Sequence, residues 1–195
     1  MTPVERVEKV LSMEPTKDNF KIAFSRTMTH EGYRVETNNP IDPGGQTYSG
    51  ISRIYWPDWE GWAFIDAGEH PPNEIVELFY RVNFWNRIQG DTLAAIALEV
   101  AFEIFDTAVN VGVTRAVEFL QTAYNISRGS YGKDLLIDGR LGPGTISAIG
   151  RYIASRPGGK ELNEEILLNC MNGEQYIFYK ANPKHKYFRG WFTRL

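Results

Sequence analysis

The stretch from Thr92 to Val111 constrains this chain most. It is apolar almost all round, and a helix of that kind has no face to give to water. Other elements must therefore wrap it, which makes it the buried centre of a mainly α fold. One polar stripe interrupts it: Glu99, Glu103, Asp106 and Asn110 recur at spacings that place all four on one helical face. Such a stripe lines a cleft floor, forms a solvated face or makes an internal polar network. Gly112 ends the segment, and Thr114 is positioned to cap a following helix that runs to about Tyr124.

The remaining segments agree with a helical reading. Val4 to Met13 alternates apolar and charged residues at helical spacing, and Pro15 stops it. A second helix begins near Asp18. Its apolar positions Phe20, Ala23, Phe24 and Met28 lead along one stripe to Glu31, and Gly32 can end the helix there. Residues 33 to 50 hold turn chemistry (Asn38-Asn39-Pro40, Asp42-Pro43, Gly44-Gly45) and read as a loop or one small β-hairpin. Trp56, Trp59 and Trp62 lie three residues apart. They suit either a core or a surface on which sugar rings stack. Past Pro71-Pro72, Asn73 is placed to cap a helix from Glu74 to about Trp85. After a loop-rich stretch from Asn125 to Gly144, helices are expected over Thr145 to about Ser155 and Glu161 to about Asn182. An aromatic tail follows around Tyr187, Phe188, Trp191 and Phe192.

Composition narrows the function classes. The chain has 195 residues, of which 43% are hydrophobic, enough for one domain or one domain with a small companion. Its net charge is −3, without a polybasic arm. Binding to nucleic acid, which needs a basic footprint, is not expected. No stretch approaches a membrane span, and Met1 to Lys17 lacks the apolar core of a signal peptide. Synthesis in the cytoplasm is therefore expected. The single cysteine, Cys170, forms no internal disulfide, and His30, His70 and His185 have no metal-ligand spacing. Neither a metal nor another cofactor is expected, and the expected state is a monomer.

The chemistry concentrates between residues 30 and 51. Cleaving a glycosidic bond needs a protonated carboxylic acid beside the leaving oxygen and a second polar or acidic group to manage water or the cationic sugar. Glu31 lies last on an apolar stripe, where partial burial disfavours its anion and keeps it protonated. Asp42, among backbone donors in a turn, suits an ionised role, and Thr47 offers a hydroxyl to orient water. Each residue alone has a plain explanation as helix end, turn former or strand residue; the three together in one Gly-rich segment are more informative.

The order Glu31-Gly32, Asp42, Gly44-Gly45, Thr47, Gly50 resembles the active-site helix and hairpin of phage-type lysozymes. The fuller pattern Glu31-Gly32-Tyr33, Asp42-Pro43-Gly44-Gly45, Thr47 and Gly50-Ile51 resembles glycoside hydrolase family 108, the N-acetylmuramidases sometimes labelled secretion activator proteins. Later segments agree: Phe84-Trp85, Gly90-Asp91, Phe105-Asp106, Ala108-Val109-Asn110, Gly112, Gly190-Trp191 and Arg194. The likeness spans roughly residues 20 to 195. Two departures stand out. Tyr33 follows Gly32 where the family pattern has a second Gly, and Tyr48-Ser49 replaces an expected Asn or Lys beside an aromatic.

The resemblance implies a lysozyme-like fold and a peptidoglycan hydrolase cutting between N-acetylmuramic acid and N-acetylglucosamine. Glu31 would be the general acid, Asp42 and Thr47 would manage water, and Tyr33, Tyr48, Asp106 and Asn110 would contact substrate. A lytic transglycosylase, or a non-catalytic wall-binding protein, would keep the same pattern. Ala116-Val117-Glu118-Phe119-Leu120-Gln121 with Asp138-Gly139-Arg140-Leu141-Gly142-Pro143 and Thr145 resembles the predicted peptidoglycan-binding region paired with this family. The same residues also read as turn-and-cap chemistry. The implied division is a catalytic region over 1–112 and a peptidoglycan-binding region over 113–195, with glycan strands as the partner. Without a signal peptide, action on the wall implies holin-type or other export.

Overall fold

A computed structural model describes residues 18–31, 35–38, 45–155 and 157–183. The expected helix at Val4 to Met13 and the aromatic tail lie outside them.

The first described helix, α1 (Asn19–Glu31), forms where the apolar stripe foretold it. Phe20, Ala23, Phe24 and Met28 are all buried. Phe20 meets Trp85 and Phe105 edge-on, each with ring centres 6.0 Å away, so α1 is keyed into the centre of the molecule by aromatic contacts. Arg81 covers the outer face of Phe20 at 4.4 Å and grips the carboxylate of Asp18 at 2.7 and 2.8 Å.

Three short strands follow: β1 (Glu36–Asn38), β2 (Gln46–Tyr48) and β3 (Ile51–Ser52). They form an antiparallel sheet in the order β1-β2-β3, pairing Thr37 with Thr47 and Tyr48 with Ile51. The β2–β3 connection is a two-residue hairpin. Ser49 and Gly50 both have positive φ, 48° and 79°, as a primed turn requires. The sheet thus extends the expected hairpin by one strand. Next come α2 (Trp62–Asp66) and α3 (Asn73–Tyr80), which widens into a π-type turn over Arg81–Trp85, where Asn86 N–H donates to Arg81 C=O at 2.8 Å. Asn73 is the first residue of α3, not its cap; Pro72 occupies the cap position.

The apolar run expected as one helix is two: α4 (Gly90–Ile96) and α5 (Leu98–Val111). Ala97 between them is extended, at φ −145° and ψ 97°. No proline or glycine marks the break. Instead Glu164, from a distant helix, accepts from the backbone N–H groups of Glu99 and Val100 at 2.8 and 3.3 Å. A remote carboxylate thus does the work of an N-cap, satisfying amides that a continuous helix would have bonded internally. Before α4, Gln89 is left-handed (φ 47°) and its amide donates to the carbonyl of Leu141. Gly90 must be glycine because an added Cβ would lie 2.2 Å from the Trp85 ring.

Helix α6 (Val113–Ser127) starts after Gly112, whose φ of 88° ends α5. Thr114 therefore lies inside α6 and Gly112 holds the cap position. Helices α7 (Pro143–Ser155) and α8 (Gly159–Ala181) complete the described chain. Helix α6 lies against α5 and α8. Trp85, Phe105, Ile104, Leu120, Ile149, Leu167 and Met171 belong to one buried cluster, so the hydrophobic core is continuous across residue 112.

Candidate active site and its scaffold

The sheet that follows α1 is braced from three sides. The Tyr80 hydroxyl donates to Ser49 C=O at 2.7 Å, and Ser49 N–H donates to Val35 C=O at 3.0 Å. On its polar side, Gln46 donates to Glu36 at 3.0 Å and accepts from Arg53 at 2.8 Å. Arg53 in turn binds both oxygens of Asp66 on α2 at 2.7 Å. The Arg53 guanidinium holds the Asp66 carboxyl below its usual range, and Asp66 raises Arg53 in return. Below the sheet, Tyr48 stacks on Trp59, which meets Trp62 edge-on at 5.0 Å.

This scaffold fixes several of the expected site residues. Glu31 is the last residue of α1; its side chain, together with Tyr33 and Asp42, lies outside the described residues. Thr47 is the middle residue of β2, half-buried, with its hydroxyl donating to Gly45 C=O at 3.3 Å. Tyr48 has 0% exposure, so it supports the sheet from beneath and offers no surface to a sugar. Trp59 and Trp62 are buried and Trp56 is half-buried against Phe79, which makes the tryptophan triplet mainly core.

The polar stripe on α5 is a network rather than a cleft floor. Asn110 donates to the Tyr179 hydroxyl at 2.6 Å, Tyr179 donates to Gln175 at 3.2 Å, and Gln175 donates to Glu103 at 2.7 Å. Thr107 adds a bond to Glu103 at 3.3 Å. Glu99 pairs with Arg26 of α1 at 2.7 Å. Asn110 is thereby directed to α8 and away from a substrate role; Asp106 shares its helix and is half-buried. An open cleft of ≈ 530 Å³ does lie along α1. Phe24, Met28 and Thr29 line one side and Asn73 and Glu77 of α3 line the other, so the groove reaches within one turn of Glu31.

The second motif also resolves into structure. Gln121 is buried and clamps the 138–145 loop. Its Oε1 accepts from the N–H groups of Asp138 and Gly139 at 3.0 Å each, and its amide donates to Asp138 Oδ1 at 2.9 Å and Arg140 C=O at 3.2 Å. These bonds hold the Asp138 carboxyl below its usual range, with the Gln121 donor as the leading cause. Gly139 has φ 67°, and a Cβ there would come 2.5 Å from Thr114. The conspicuous Asp-Gly and Thr residues of this motif are therefore a loop clamp. Neither this clamp nor the Tyr80–Ser49 bond is visible in sequence spacing, since each joins residues far apart in the chain. Among the described residues, no group of three or more His, Cys, Asp and Glu side chains is placed to hold a metal, and no helix is long and apolar enough to cross a membrane.

Comparison with known proteins agrees with this geometry. Residues 24–112 match the family model described as glycosyl hydrolase 108, and residues 108–195 match the one described as predicted peptidoglycan domain. The structure of SagA from Brucella abortus is similar over 92% of this chain and 90% of that one, at 27% identity and a TM-score of 0.67. No curated protein matches.

Proposed function

We propose that this chain, whose residues 24–112 match the glycosyl hydrolase 108 model and whose residues 108–195 match the predicted peptidoglycan domain, is an N-acetylmuramidase with Glu31 as its general acid. The coarser statement, a glycoside hydrolase directed at peptidoglycan, follows from the two family matches. The finer one is supported by position: Glu31 is the last residue of α1, one turn after the buried Met28, and precedes in the chain the braced sheet that bears Thr47.

In this reading a glycan strand lies across the end of α1 and the sheet. The Glu31 carboxyl gives its proton to the oxygen between N-acetylmuramic acid and N-acetylglucosamine as the C–O bond breaks. The electron pair leaves with the oxygen, and the sugar carbon takes on oxocarbenium character. Water then adds to that carbon and its proton returns to a carboxylate. Phe24 and Met28 are buried in the last turns before Glu31; a carboxyl kept from full solvation stays neutral more readily, which is the form a general acid needs. Thr47 is the middle residue of the central strand of a sheet held by Tyr80 and Arg53, which suits a group that positions water. Asp42 is assigned the ionised partner role on the pattern of its loop.

Mass analysis of products from purified peptidoglycan tests the reaction. Fragments carrying a reducing N-acetylmuramic acid, one water heavier than the anhydro form, are expected. Anhydro sugars as the main product would convert the assignment to a lytic transglycosylase.

A further inference from the structure

A second cleft, of ≈ 500 Å³, opens between the end of α6, the loop after it and α7. It lies within the predicted peptidoglycan domain and its volume suits a small ligand. Its walls are aromatic. Tyr124 and Tyr152 are buried and meet edge-on at 6.0 Å, and the exposed Tyr131 stands beside them.

The loop is shaped before any ligand arrives. Asn125 closes a paired amide clamp on Leu135, donating to its C=O at 2.9 Å and accepting from its N–H at 2.7 Å. Arg128 pairs with Asp134 and also donates to the carbonyls of Gly129, Tyr131 and Gly132. Arg128 and Asp134 neutralise one another. Lys133 and Arg151 remain as surplus positive charge lining the cleft; Arg151 is steadied by donating to the Ser147 hydroxyl at 2.6 Å. A doubly cationic, tyrosine-walled cleft stands out on a chain whose net charge is −3.

We propose that this cleft binds a carboxylate of the peptide stem of peptidoglycan, which gives the second half of the chain a specific ligand and a location for it. The inference rests on the peptidoglycan reading above. The polymer's chemistry makes the choice. N-acetylated glycan in amide linkage to its stems presents no free carboxylate, whereas the stems do, beside small aliphatic groups that pack on tyrosine faces. Lys133 and Arg151 supply charge-assisted donors for the carboxylate, and the tyrosines supply apolar contact with a polar edge.

The test uses the full chain and two soluble probes: a disaccharide muropeptide carrying a tetrapeptide stem, which has no internal bond of the kind cleaved, and chitotetraose, which has no stem. Calorimetric titration of wild type should show the muropeptide binding through the cleft. The Lys133→Glu/Arg151→Glu double variant should bind it at least about tenfold more weakly. Lys133→Arg/Arg151→Lys, which keeps both charges, should retain binding and exclude misfolding as the cause. Equal muropeptide affinity in wild type and the charge-reversed variant would overturn the proposal. So would a charge-reversed variant that loses chitotetraose and muropeptide alike. Failure of the muramidase reading looks different: wild type would release no reducing sugar from peptidoglycan while charge-dependent muropeptide binding persisted.

Discussion

At the scale of single residues, the molecule depends on a few side chains with several simultaneous partners. Gln121 is the clearest. Buried and bonded to Asp138, Gly139 and Arg140, it leaves orphaned backbone groups when truncated. Gln121→Ala should cost about 2–3 kcal/mol, since unsatisfied buried groups carry their full desolvation penalty; urea unfolding measures it. Gly90→Ala should cost about 1–3 kcal/mol, because the new methyl overlaps the Trp85 ring and forces it to shift; the same assay applies. Glu31 is proposed from its place on the Phe20–Phe24–Met28 stripe and from the motif after it. Tyr48, a tyrosine beside the motif, has the sequence of a sugar contact, but the sheet turns its ring inward to 0% exposure.

Among elements, the junction between α4 and α5 shows what local pattern conceals. Nothing in Ala-Ile-Ala-Leu over residues 95 to 98 argues against a helix, and Ala is its best former. The break exists because Glu164 on α8 captures the Glu99 and Val100 amides. Glu164→Ala should lower stability by about 1 kcal/mol, as loss of an N-cap does, while Glu164→Gln, which keeps the acceptor oxygen, should recover most of it; thermal melts of the two variants compare them. The helices with a strong apolar stripe were readable to within a residue or two. The break at Ala97 was not, because its partner Glu164 comes from elsewhere in the chain; the caps at Pro72 and Gly112 carry no side-chain bond that a capping pattern would mark.

For the whole molecule, two exposed carboxylates tie stability to pH. Asp66 and Asp138 both have folded pKa values held below the ordinary carboxylate value of 3.8, by Arg53 and by Gln121 respectively. Groups with a depressed folded pKa stabilise the fold fully above the unfolded pKa and lose that contribution as pH falls through the folded one. Stability should therefore decline as pH drops below about 4, and Asp66→Asn should flatten part of that decline in an acid titration followed by circular dichroism. The hydrophobic core runs continuously across residue 112, and the cleft along α1 and the one beside α7 are lined by different residues. The central claim is that Glu31 donates the proton that breaks the glycan. Reducing-end release from purified peptidoglycan by wild type and Glu31→Gln, at matched folded concentration, tests it most directly. A loss of at least about 100-fold, the usual size of a missing general acid, is expected, with binding to the wall retained. Equal release by both proteins would contradict it.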